Sequence, residues 1–319
     1  MFFLGIDVAK AKLDCALRLG NGKYKDKVVP NNPAGFQALS EWLAKQGATD
    51  LHVCMEATGI YWEGIAAYLA TQGMTVSVVN PAQIKAYGAS RLVRTKTDRV
   101  DARLIAEFCC ERRPNAWEAP SASEQELRAL VLRLEALQNM QTQEDNRLKV
   151  APGTVAADIA AHVEWLDNEI SKVKKKIGKH IDSDPGMKDK SDLLDSIPGV
   201  GPSTIAMLLA FCVHPGRFEN ARQATAYAGL DPRQHQSGSS VNGKPRMSKV
   251  GHSIIRKILY MPSMVTLYKT AWGKRFYARL ALAGKPPKLV IGAMMRKLIH
   301  VAFGVLKSGK PFDQALHQA

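Results

Sequence analysis

The chain has 319 residues, with 44 Lys and Arg against 29 Asp and Glu, a formal charge of +15 and a pI near 9.6, a balance that makes a polyanion the natural ligand and favours nucleic acid over membrane. No run of eighteen apolar residues occurs, and MFFLGIDVAK leads straight into a strand without a signal-peptide hydrophobic region, so the chain is expected to be cytoplasmic with no membrane partner. Cys15, Cys54, Cys109, Cys110 and Cys212 lack the CxxC spacing of a zinc site and lie in apolar segments, which reads as reduced core thiols.

From Phe2 to about Pro114 strands alternate with helices. The pattern predicts strands over 2–7, 12–19 and 24–29, a helix from Pro33 to Gln46, a strand over 51–55, a helix over 60–72, a strand over 75–79, and then helical segments. Three strands, a helix, and two further strands each followed by helix is the element order of a ribonuclease H-like α/β fold. Asp7 closes the apolar run of FFLGIDVAK and Glu56 that of LHVCMEATG, while Asp98 and Asp101 lie three apart in RTKTDRVDARLIAEF and so share a helix face. Two strand ends and one helix face can converge on a point. Four carboxylates gathered there suit Mg²⁺, and a pair of such ions can activate an attacking oxygen and stabilise a leaving one, which is phosphodiester chemistry. Arg91, Arg94, Lys96, Arg99 and Arg103 surround the acid pair, and acids amid bases suggest metal and phosphate together; Arg94 and Lys96 are candidate nucleic-acid contacts.

From Ser121 the pattern turns helical. Leu127, Leu130, Leu134 and Leu137, then Ile159, Val163, Leu166, Ile170, Val173 and Ile177, form two seams that want a partner helix, interrupted at Pro152 and Gly153. That pattern fits either a helical hairpin or part of an intermolecular coiled coil. Basic clusters follow at Lys172–Lys179, Lys244–Arg256 and Lys285–Lys297, although a basic helix is more often a solvated face than a binding site. From about Lys188, LLDSIPGVGPSTIAMLLA places Gly199 and Gly201 in a tight connection between apolar helices, resembling a helix-hairpin-helix. Its glycines let backbone approach a phosphate, and the amides near Pro202 and Ser203 can donate to an anion without reading bases. Next comes the polar loop YAGLDPRQHQSGSSVNGKPRMSKVGHSIIRKILY. There Ser237, Ser239 and Ser240 precede Arg246, Lys249, His252 and Arg256, so a hydroxyl nucleophile and phosphate-stabilising cations could meet. The chain thus divides into residues 1–120, a helical region over 121–187 and a mainly α region over 188–319.

GIDVAK, MEATG, KTDRVDARLIAEF, SIPGVG, YAGLDPR, SGSSVNGKPRMSKVGH and GAMMRKL together resemble, in order and spacing across nearly the whole chain, the DEDD-type insertion-sequence transposases of the IS110 family, the bridge-RNA-guided recombinases. The resemblance implies a RuvC-like amino-terminal domain, a coiled-coil insertion and a carboxy-terminal transposase domain with a catalytic serine. It places the tetrad on Asp7, Glu56, Asp98 and Asp101, holding Mg²⁺, and the nucleophile on Ser237, which would form a covalent phosphoserine. It also implies donor and target DNA, a structured noncoding guide (bridge) RNA that pairs with both, and self-association as a dimer or tetramer in which domains of different subunits form a composite site, in a bacterial, nucleoid-associated setting. Arg246, Lys249 and Arg256, with Gly199 and Gly201, complete the candidate nucleic-acid contacts. Two other classes fit parts of the sequence: a Holliday-junction-type nuclease that hydrolyses with the tetrad alone, and a non-enzymatic nucleic-acid-binding protein whose binding would depend on salt but not on Mg²⁺.

Overall fold

The computed structural model describes residues 1–93, 95–211, 218–237 and 241–317, setting aside the side chains at 235, 237, 241, 242, 244 and 317. It contains two units, Met1–Ala119 and Pro120–Ala319, each with its own core.

In the first unit, β1 (Phe2–Val8), β2 (Lys12–Arg18) and β3 (Tyr24–Pro30) form an antiparallel meander, followed by α1 (Pro33–Lys45), β4 (Leu51–Glu56), α2 (Glu63–Thr71), β5 (Thr75–Val79), α3 (Pro81–Ser90) and α4 (Asp98–Arg112). The sheet order is β3-β2-β1-β4-β5, with β1, β4 and β5 mutually parallel. Strand alternation assigns the two faces. Leu4, Ile6, Leu13, Cys15, Leu17, Val53 and Met55 pack with Phe36, Leu39 and Leu43 of α1 and Ile65 and Leu69 of α2. On the other face Phe3, Cys54 and Val79 pack with Ile84 and Tyr87 of α3 and Leu104, Ile105 and Phe108 of α4. Cys15, Cys54 and Cys109 are buried free thiols and Cys110 is half-buried, as expected of core cysteines; Cys212 lies outside the described residues.

Gly5 determines how closely α4 approaches. A Cβ at Gly5 would sit 2.1 Å from the Ala102 carbonyl oxygen and 2.3 Å from the Ala106 nitrogen, so α4 rests directly on the β1 backbone. Thr97 caps α4, its hydroxyl accepting from the Val100 amide, and Asp98 and Asp101 in the first turn complement the helix dipole.

The second unit opens with α5 (Ala122–Leu148) and α6 (Gly153–Ser183), which pack on each other along their length as a hairpin, the first of the two arrangements the seams allowed. A capping box of Ser121 and Glu124 starts α5, and Pro152, in extended conformation, starts α6. Leu127, Val131, Leu134 and Leu137 meet Leu166, Ile170, Val173 and Ile177 in a core shared with α7 (Pro185–Asp195), α8 (Pro202–Ala210), α10 (Ser253–Lys269) and α12 (Pro287–Ser308). Away from that core Ile159 and Val163 are only partly buried, and Val150, Val155 and Trp165 are exposed. Between α9 (Ala221–Tyr227) and α10 lies an antiparallel hairpin of β6 (Pro232–Ser237) and β7 (Val241–Met247), and α11 (Ala271–Leu282) precedes α12. By length and hydropathy α12 could cross a membrane, yet Val290, Ile291, Met294, Leu298, Ile299, Ala302 and Phe303 are all buried in this unit's core.

Candidate active site

The register of the sheet brings the acids together. β1 and β4 run parallel and pair as far as Ile6 with Met55, so Asp7 and Glu56 follow side by side at the carboxyl ends of adjacent strands. Both belong to the face covered by α4, whose first turn carries Asp98 and Asp101. Their electrostatics record the gathering. Burial first, then the charges of Asp101, Asp98 and Asp14, push the Asp7 carboxyl up to about 6 against the opposing pull of Lys12. Burial and the charges of Asp7 and Asp101 push Glu56 up to about 7, with Lys96 opposing. Asp101 is raised by burial, and the adjacent charges of Lys96 and Asp98 act on it in opposite directions. Asp98 differs: its exposed carboxylate accepts from the Lys12 ammonium at 2.7 Å and is held below the usual range.

As a donor set these four carboxylates suit a hard divalent cation, because they supply oxygen alone. Among the described residues, no group of three or more Asp, Glu, His or Cys side chains is placed to hold a metal ion; the acids are neighbours drawn from two strand ends and a helix turn.

The surrounding bases are placed differently from the reading of metal and phosphate together. Arg91 pairs with Glu107 and, at 3.5 Å, with Glu111. Arg99 and Arg103 both clamp Asp26 of β3, at 2.6 and 2.5 Å. Three of the five cations around the acid pair are therefore internal ties holding α3 and α4 in place, because guanidinium forks find carboxylates within the unit. Lys96 remains exposed beside Glu56 and Asp101, and Arg94 lies outside the described residues.

Two residues that the sequence reading passed over belong to this cluster. Asp14 lies directly across the β1–β2 ladder from Asp7 and is buried, and Lys12 bridges Asp14 at 3.0 Å to Asp98. What identifies them is the hairpin register of the structure, which pairs residues whose numbers sum to 21, as in Phe3 with Arg18 and Val8 with Leu13.

In the second unit α7, the connection from Ser196 to Gly201 and α8 form a short helical hairpin. Gly199 has φ +98, and a Cβ there would lie 2.2 Å from the Thr266 hydroxyl oxygen of α10, so the space its missing side chain creates is taken up by packing. Gly201 caps α8, and a Cβ there would meet nothing within 4 Å. Ser237 closes β6 opposite Val241; its side chain, with Ser239 and Ser240, lies outside what is described. Of the cations after the serines, Arg246 and Lys249 are exposed, Lys249 with φ +56. Arg256 donates to the carbonyls of Ala228 and Gly251 at 2.8 and 3.1 Å, tying the loop that precedes α10. The His252 ring packs against Tyr227 and Phe211.

A DEDD transposase family model of the IS110 type, described as "Transposase", matches residues 4–151, and one described as "Transposase IS116/IS110/IS902 family" matches residues 191–278. The pilin gene-inverting proteins of Moraxella bovis and Moraxella lacunata are each 31% identical to the chain over 319 residues, covering 99% of both sequences. The chain belongs to the IS110/IS116 family of transposases. A further relative, the insertion element IS110 uncharacterized 43.6 kDa protein of Streptomyces coelicolor, is 24% identical over 177 residues, 54% of this transposase and 42% of that protein. The first match spans all four acids of the cluster, and the second spans the transposase's helical hairpin at Gly199 and Gly201 together with Ser237. Family membership makes this transposase an enzyme that acts on DNA.

Proposed function

We propose that this transposase cuts and rejoins DNA strands through a covalent phosphoserine formed by Ser237, assisted by an ion-binding centre of Asp7, Glu56, Asp98 and Asp101 in a ribonuclease H-like, RuvC-like first domain. The observation that carries the reading is the neighbouring placement of the first unit's acids: two adjacent parallel strands end in carboxylates on the sheet face that α4 covers, and the first turn of α4 carries two more, in a sheet ordered β3-β2-β1-β4-β5. Mg²⁺ held there would offset the charge on the phosphate under attack. Ser237 Oγ forms a bond to phosphorus as the bond to a deoxyribose oxygen breaks. The serine proton is lost to a base, the departing oxygen takes up a proton, and phosphodiester energy is kept for rejoining.

Rejoining is what the relatives' names support. The two full-length matches are named for inverting a gene. Turning a segment around requires every broken end to be resealed, which a covalent enzyme–DNA ester permits and hydrolysis does not. The formal charge of +15 supports extensive contact with nucleic-acid backbones, and the family resemblance supports a noncoding bridge RNA that selects donor and target by pairing. The chain works as a homo-oligomer, dimer or tetramer; the exposed Val150, Val155 and Trp165 of the α5–α6 hairpin support a contact between copies.

The test is incubation of the protein with its flanking noncoding RNA, Mg²⁺, donor and target DNA, followed by denaturation. A protein–DNA adduct that disappears in Ser237→Ala is the expected result. Cleavage without an adduct, persisting in Ser237→Ala, would instead assign hydrolysis by the acids alone.

A further inference from the structure

We propose that Lys12 is a tethered cation of the acidic centre: it occupies the Asp98 corner, and a divalent ion engages Asp98 only by displacing it. The proposal rests on the reading of the acids as an ion-binding centre and assigns to it a residue outside the tetrad.

The β1–β2 hairpin creates the arrangement. Register sets Asp14 across from Asp7, and Lys12, two residues earlier, falls on the same face of β2. Its ammonium reaches Asp14 Oδ2 at 3.0 Å and Asp98 Oδ2 at 2.7 Å, joining the sheet to the first turn of α4. The two partners hold it for different reasons. The Asp14 side chain is only 10% exposed, and a carboxylate that buried needs a counter-charge; Asp98 is 56% exposed and could be served by water. Lys12 is therefore anchored by Asp14 and lends its charge to Asp98.

Contrast with Asp26 separates a switch from a clamp. Asp26 receives guanidinium groups from Arg99 and Arg103, with Arg103 donating through both Nε and Nη2. Such forks fix geometry. Lys12 instead offers a point charge on a flexible stem whose side chain is 45% exposed, so it can leave Asp98 while keeping Asp14. An arriving ion of charge +2 among Asp7, Glu56 and Asp101 repels the ammonium beside them, and Asp98 changes partner. The centre's affinity then reports a competition between a built-in cation and a diffusing one.

The experiment is calorimetric titration of the full-length protein, without nucleic acid, with Mn²⁺ as probe. Lys12→Met should bind Mn²⁺ about threefold to tenfold more tightly than wild type, the factor expected when an exposed competing ion pair is removed. Lys96→Met removes the same charge beside Glu56 and Asp101 and should change affinity less. In an Asp98→Ala background the gain from Lys12→Met should shrink, because the contact being relieved is gone and only the charge of Lys12 on Asp7 remains. Should Lys12→Met fold poorly, Lys12→Gln keeps a donor for Asp14 and should show the same direction. Unchanged or weaker Mn²⁺ binding on loss of Lys12, an equal effect of Lys96→Met, or a gain undiminished by Asp98→Ala would each overturn the proposal. Absence of Mn²⁺ binding in wild type and Lys12 variants alike would overturn the ion-binding reading itself, and this inference with it.

Discussion

Asp7 and Glu56 carry a stability cost that can be measured without substrate. Their folded carboxyls titrate at about 6 and about 7, above the ordinary 3.8 and 4.5, so across that interval the folded state holds protons that the unfolded state has released. Stability of the metal-free protein should fall as pH rises from 4 to 7 and level off above. Asp7→Asn should stabilise the metal-free protein at pH 7.5 by on the order of 1 kcal/mol, after allowance for solvent screening, and the gain should fade towards pH 4; thermal melts at the two pH values check it. The glycines of the second unit give another residue-level contrast. Gly199→Ala should cost roughly 2 kcal/mol or more in chemical denaturation, through positive φ and the Thr266 contact, whereas Gly201→Ala, with φ −109 and open space, should leave stability nearly unchanged. A DNA-binding defect in Gly201→Ala would then report the helix start itself. The placement of the four acids on elements was legible in the sequence, because Asp7 and Glu56 close apolar strand runs and Asp98 and Asp101 share a face in the first turn of a helical segment. Lys12 and Asp14 were not, since their meaning depends on which residue lies across the ladder.

At the scale of elements, the site's geometry depends on α4 lying flat on β1. Gly5→Ala should push a methyl into the Ala102 carbonyl and either lift the helix or unfold the unit, with a loss of about 3 kcal/mol and of DNA cleavage together, read by denaturation and a strand-cleavage assay. Asp26→Ala removes the anchor of Arg99 and Arg103 without touching an acid of the cluster; it should slow cleavage while leaving most of the fold's stability intact. The strands and helices of the first unit follow their periodicity to within a few residues, because alternation and helical spacing are local. The destinations of Arg91, Arg99 and Arg103 escaped the sequence because their partners lie as many as 77 residues away, and charge clusters look alike whether they face solvent, phosphate or an internal carboxylate. The α5–α6 seams show the same limit: the break at Pro152 was visible, but a hairpin and an intermolecular coil share one heptad pattern.

For the whole molecule, two separate cores predict two separable unfolding events. Calorimetry should resolve two transitions, of which Asp7→Asn moves one and Gly199→Ala the other; a single transition moved by both would show that the units unfold together. Binding of nucleic acid should weaken steeply with salt, with a slope of log K against log salt of about −5 or steeper, as expected for many phosphate contacts by a strongly basic chain. The placement of α12 also bears on synthesis. The first unit is complete at residue 119, but the core of the second needs side chains as late as Val305. At ribosomal speeds of about 5–20 residues per second, the carboxylates can be assembled for roughly 10–40 seconds before the serine-bearing unit can close around its last helix. A nascent chain in that interval carries the four acids on a complete sheet while the second unit still lacks the helix that fills its core.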